Sequence, residues 1–129
     1  MSVKSGKILV VEDNALNLEL ASELLTGAGH TVLQARTAEE GLRLARTEAP
    51  DLILLDVRLP GMDGLSAVRV LKRDAATRHI PAVAMTAQAM KGDEETARAA
   101  GFDAYVTKPI DTRAFPEMVA RLLAQGAKP

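Results

Sequence analysis

Five short strand-like runs recur along the chain, and segments of helical spacing separate them. The runs are Ile8–Val11, Thr31–Ala35, Leu52–Leu55, Ile80–Met85 and Asp103–Val106. Each is too short for a buried helix, which needs about 10–12 residues, and each is bounded by turn or cap signals. Between them, Asn14 is a good N-cap, Ala21, Leu24, Leu25 and Ala28 recur at helical spacing, and Gly29 closes the helix. Thr37 caps a second helix through Glu48, with Glu39 and Glu40 in the first turn, where the helix dipole favours acids. Leu65, Val68 and Leu71 mark a third helix after Gly64, ending in the polar Thr77-Arg78-His79 segment. A fourth runs from about Ala89 to Ala100 and stops at Gly101. Asp111 or Thr112 caps a fifth, with Phe115, Met118, Val119, Leu122 and Leu123 on its apolar side. Strands alternating with helices predict right-handed crossovers and a parallel sheet covered on both faces. The expected fold is therefore one doubly wound α/β domain over residues 7–125. A disordered tail is expected over 1–6 and a frayed end over 126–129.

Composition removes several functional classes. The chain has 129 residues and 47% hydrophobic content, enough for one packed core. It has no cysteine, which excludes disulfides, thiolate metal sites and a cysteine nucleophile and fits a reducing cytoplasm. A net charge of −1 gives no reason to expect a nucleic-acid or anionic-membrane partner. Phe102, Tyr105 and Phe115 are the aromatic residues, too few for a base-stacking platform. No apolar run approaches the ~20 residues of a membrane helix. The polar opening Met-Ser-Val-Lys-Ser-Gly does not resemble a signal peptide.

The chemistry gathers at strand ends. The first strand runs into Glu12-Asp13-Asn14, the third ends in Asp56, the fourth in Thr86, and Lys108 follows the fifth. Parallel strands point the same way, so these residues emerge at one edge, where open α/β sheets bind ligands. Two like charges ~4 Å apart cost roughly 4 kcal/mol at an effective dielectric of about 20. A divalent cation would relieve that repulsion, and oxygen donors without Cys or His favour a hard ion, Mg²⁺. An acid nucleophile, a metal, a lysine and a hydroxyl together suit phosphoryl transfer.

Four segments carry a specific likeness: Glu12-Asp13-Asn14, Leu55-Asp56-Val-Arg-Leu-Pro-Gly-Met-Asp-Gly64, Met85-Thr86-Ala87 and Tyr105-Val-Thr-Lys108-Pro109. In this order and spacing the chain resembles the receiver domains of two-component response regulators, over about residues 7 to 125. The resemblance implies a flavodoxin-like sheet of order 2-1-3-4-5. It implies that Asp56 accepts a phosphoryl group from a histidine kinase or a histidine phosphotransfer protein. One Mg²⁺ would be held by Asp13, Asp56 and the backbone carbonyl of Arg58, with Glu12 acting mostly through water. Lys108 would pair with a carboxylate and then with the phosphoryl group. Thr86 and the Ala87 amide would donate to it, and Tyr105 would move inward as Thr86 shifts. Pro109 would follow a cis peptide bond. Arg58 and Gln88 would tune access of the hydrolytic water. The implied protein is a stand-alone cytoplasmic switch rather than an enzyme, catalysing only its own phosphorylation and dephosphorylation. It would signal through protein contact at the face of the fourth helix, fifth strand and fifth helix, as a monomer or a phosphorylation-dependent dimer.

Other readings compete. An Asp-nucleophile phosphohydrolase wants a second acid two residues past the nucleophile, and position 58 is Arg. A nucleotide- or flavin-binding domain wants a glycine-rich phosphate loop after the first strand, and Glu-Asp-Asn stands there. A receiver detached from a hybrid histidine kinase would have the same chemistry. Asp63 reads as a turn or cap residue, His30 and His79 as turn or solvated-loop residues, and the Lys91–Arg98 charges as a solvated helix face.

Overall fold

The computed structural model describes residues 6–86, 92–108 and 111–126. Strands β1 (Lys7–Val11), β2 (Thr31–Ala35), β3 (Leu52–Asp56), β4 (Ala82–Thr86) and β5 (Ala104–Thr107) alternate with helices. The helices are α1 (Ala15–Gly27), α2 (Ala38–Glu48), α3 (Gly64–Arg73), α4 (Asp93–Ala100) and α5 (Ala114–Gly126). The strands form one parallel sheet in the order β2-β1-β3-β4-β5.

Side-chain alternation along the three inner strands builds two cores. Leu9, Val11, Ile53, Leu55, Ala82 and Ala84 face one side, where α2, α3 and α4 supply Ala38, Ala45, Val68, Leu71 and Ala97. Ile8, Val10, Leu52, Leu54, Val83 and Met85 face the other, against Leu18, Leu25, Phe115, Val119 and Leu123 of α1 and α5. β3 and β4 are buried along their whole length, as continuous apolar runs require when both faces are covered. The edge strands β2 and β5 keep partly exposed positions.

The caps follow the chemistry of the sequence. Asn14, Thr37 and Asp63 each accept a backbone N–H from the first turn of the helix that follows. Asp111, rather than Thr112, accepts from Arg113 and Ala114 at the start of α5. Gly29 takes a positive φ of 98° at the end of α1. There its N–H reaches Thr26 O while the His30 N–H reaches Leu25 O, closing a Schellman turn.

Some expectations shift. His30 follows that turn but is not solvated: it is 5% exposed, and its Nδ1 accepts the Gly6 N–H at 3.0 Å. Burial lowers its pKa below 6.5. Gly6, placed in the expected tail, is itself buried, and its carbonyl accepts from Thr31 at 2.9 Å. Thr77, in the polar segment after α3, is buried, because its hydroxyl donates to Leu71 O at 2.8 Å. β5 starts at Ala104 rather than Asp103, since the Asp103 side chain instead accepts from Lys72 Nζ and the Ala82 N–H. α4 starts at Asp93, and the expected beginning from about Ala89 falls largely outside the described residues.

Candidate functional site

The register sets the site. Val11 pairs with Leu55, so Glu12 and Asp56 stand level, one residue further along β1 and β3. Asp56 pairs with Met85, and Thr86 pairs with Thr107. The Lys108 N–H then continues the ladder to Thr86 O at 2.7 Å. Glu12, Asp56 and Thr86 are all buried, and Asp13 is exposed beside them.

Lys108 holds the two buried acids together. Its Nζ lies 2.9 Å from Asp56 Oδ2 and forms a second ion pair with Glu12 Oε1. Asp56 Oδ1 accepts the Arg58 N–H at 2.9 Å, so both oxygens of Asp56 are oriented. Glu12 Oε2 accepts the Asn14 N–H at 3.2 Å. Burial, and then the hydrogen bond and charge of neighbouring Asp56, push the Glu12 carboxyl up to about 7 against the opposing pull of Lys108 and the Asn14 amide. Burial works against the Lys108 charge too, but Glu12 and Asp56 outweigh it and raise its pKa.

One carboxylate oxygen each from Glu12, Asp13 and Asp56 lies within 4.8 Å of the others. Oxygen-only donors, two buried and one at the solvent edge, fit a hard divalent cation that keeps open water positions. The loop beneath is built for close approach. The Gly64 N–H donates to Val57 O at 2.9 Å. A Cβ on Gly64 would fall 2.4 Å from Asp56 O and 2.7 Å from Val57 Cα.

Beside the acids, Val57, Arg58, Thr86, Thr96 and Tyr105 line a small cavity of about 100 Å³. Tyr105 is half-buried there. Burial, and after it the charge of Asp93, raise its phenol above 10.0, and Thr86 works the other way. A larger groove of about 580 Å³ runs between α2 and α3 past Leu42, Arg46, Val70 and Leu71, and none of the clustered acids line it.

Of the residues expected at the sheet edge, Glu12, Asp13, Asp56 and Lys108 form one cluster, and Thr86 and Arg58 border the adjoining cavity with Tyr105. Ala87, Gln88 and Pro109 lie outside the described residues. Asp63 is the N-cap of α3, as expected. One contact was not foreseen: Arg36 Nη2 donates to the backbone carbonyl of Asp13 at 2.8 Å. Arg36 follows the end of β2, so the strand-end reading places it at the same sheet edge, but its contact with the Asp13 carbonyl has no signal in the sequence.

This geometry agrees with known proteins. The model of the response regulator receiver domain matches residues 8–120. The polar-differentiation response regulator DivK of Brucella ovis is 45% identical over 119 residues, covering 92% of this chain and 97% of its own. The receiver domain of a signal transduction histidine kinase from Syntrophus aciditrophicus superposes with a TM-score of 0.88 at 31% identity, covering 96% of this chain and 94% of its own. The receiver domain of a Pseudomonas aeruginosa sensor histidine kinase, solved with a magnesium ion coordinated in its active site cleft, gives 0.86 at 32%, covering 94% and 99%. With the family model covering residues 8–120 and a relative 45% identical along nearly the whole chain, on a sheet of the same fold as these structures, the chain belongs to the receiver domains of response regulators.

Proposed function

We propose that this receiver accepts a phosphoryl group on Asp56 from a phosphohistidine of a kinase or phosphotransfer protein, with Mg²⁺ bound, and signals by protein contact. The observation that carries the reading is the state of Asp56. It is buried at the carboxyl end of β3 and held through both oxygens, by the Arg58 N–H and by Lys108. A carboxylate oriented in this way is a positioned nucleophile. Its oxygen attacks phosphorus, the new O–P bond forms as the N–P bond to histidine breaks, and the donor imidazole leaves with its electron pair.

Asp13, Asp56 and the Arg58 carbonyl would hold the cation, with Glu12 acting through water. When bound, Mg²⁺ supplies charge neutralisation at the phosphoryl oxygens. The chain's own residues do the rest. Lys108 offers a point charge that moves from the carboxylates to the phosphoryl group. The Thr86 hydroxyl and the Ala87 N–H donate to the remaining oxygens. Once Thr86 shifts, Tyr105 fills the space beside it, and α4, β5 and α5 read out the change as a biased pair of states. Arg58 and Gln88 limit access of the hydrolytic water. The role is that of a cytoplasmic switch, monomeric or dimerising on phosphorylation, with no turnover of an external phosphoester. The same acceptor chemistry serves if the receiver works beside a kinase, as in the two histidine-kinase relatives.

Acetyl phosphate with Mg²⁺ tests this reading. Intact-mass measurement should find one added phosphoryl group on the wild type and none on Asp56→Asn. Equal labelling of both would refute Asp56 as the acceptor, and labelling that persists under a chelator would refute the role of the cation.

A further inference from the structure

Asp13 is the exposed member of the acid cluster, and its backbone lies between two hydrogen-bonded elements. The Glu12 N–H is the last to join the sheet there, donating to Ala35 O at 3.0 Å. The first helical bond of α1 is accepted two residues later, by Asn14 O from Leu18 at 3.0 Å. The Asp13 carbonyl thus falls past the strand and before the helix, and Arg36 Nη2 donates to it at 2.8 Å. Arg36 is itself fixed at its backbone, where its N–H donates to Glu40 Oε1 at 3.0 Å. α2 therefore braces Arg36, and Arg36 braces the peptide that carries Asp13.

We infer that Arg36 is a positioning residue for the acid cluster, holding the Asp13 loop so that its carboxylate stays beside Asp56 and Glu12. This inference rests on the reading of the cluster as a cation site. Without such a brace, repulsion from Asp56 and Glu12 favours an exposed Asp13 side chain turned out to water. The charge of the guanidinium and its hydrogen bond act on a cation in opposite senses. A positive charge near the site weakens cation binding, whereas an ordered ligand strengthens it. The sign of the effect separates the two. Arg36 is exposed, so its contact adds little to global stability.

The test is calorimetric titration of Mg²⁺ into metal-free wild type, Arg36→Met, Arg36→Lys and Asp13→Asn, alongside urea unfolding of each. Arg36→Met should weaken Mg²⁺ binding about tenfold, the lower end of what residues behind metal ligands contribute, with the urea midpoint nearly unmoved. Arg36→Lys keeps the charge that opposes the cation but loses the guanidinium that reaches the Asp13 carbonyl, so it should bind Mg²⁺ no more tightly than Arg36→Met. In the metal-free protein, backbone amide relaxation at Asp13 and Asn14 should report added motion in Arg36→Met. Unchanged or tighter Mg²⁺ binding in Arg36→Met overturns the positioning role. Unchanged amide relaxation overturns it as well. Asp13→Asn isolates the underlying reading: if it binds Mg²⁺ like the wild type, the cluster is not the cation site and both inferences fall together.

Discussion

Replacing Gly64 with alanine adds a single methyl group where the loop after β3 folds back on the strand. That methyl carbon would sit 2.4 Å from Asp56 O, 2.7 Å from Val57 Cα and 3.0 Å from the Asp56 carbonyl carbon. All three are backbone atoms, so no side chain can rotate away, and the β3–α3 connection must shift by about half an ångström or more. Overpacking of this kind costs about 1–3 kcal/mol, and contact with backbone places it at the upper end. Alanine stiffens the unfolded chain and returns about 0.4–1 kcal/mol. The net loss is about 2 kcal/mol, or roughly 8 °C in Tm at this chain length. Gly27 provides the matched control, because it lies in α1 with nothing within 4 Å of an added Cβ. Gly27→Ala should therefore stabilise the protein by up to about 1 kcal/mol. Urea unfolding of both variants gives the comparison, and acetyl-phosphate labelling of Gly64→Ala should also slow because the strand end carrying Asp56 has moved. Equal stability changes in the two variants, or a gain in Gly64→Ala, would refute the close approach.

Lys108→Met removes the ammonium that ties Glu12 to Asp56, leaving two buried carboxylates, and should cost about 3–5 kcal/mol at pH 8 in the metal-free protein. A double-mutant cycle with Glu12→Gln should then give a coupling above about 0.5 kcal/mol, whereas simple additivity would contradict the bridge. His30 supplies a pH dependence of defined sign. Burial lowers its folded pKa, so the unfolded chain takes up the proton first and stability is lost as pH falls below about 6.5 toward the folded value. His30→Asn keeps an acceptor for the Gly6 N–H without titrating, so urea midpoints at pH 7.5 and 5.5 should differ less in the variant. An identical difference in the two proteins would exclude His30 as the source.

The fold was legible because parallel strands buried on both faces read as unbroken apolar runs, as Leu52–Leu55 do. The site was legible for a topological reason. Parallel strands all end at one edge, so Glu12, Asp56, Thr86 and Lys108 could be brought together from their positions alone. What stayed hidden depends on single long-range contacts that leave no periodic trace. Gly6 meets His30 across 24 residues, and Arg36 meets Asp13 across 23. Thr77 is hidden for a related reason: its hydroxyl returns to the end of α3 and satisfies itself there, so a polar residue in a polar stretch is buried.

Chemical mapping of the acceptor bears most directly on the role of Asp56. After phosphorylation of the intact protein with acetyl phosphate and Mg²⁺, borohydride reduction converts an acyl-phosphate aspartate to homoserine. Tandem mass spectrometry should then find homoserine at position 56 and aspartate retained at positions 13 and 63. Homoserine at either of those positions, or its absence from position 56 in protein that has gained a phosphoryl group, would contradict the assignment of Asp56 as the switch's acceptor.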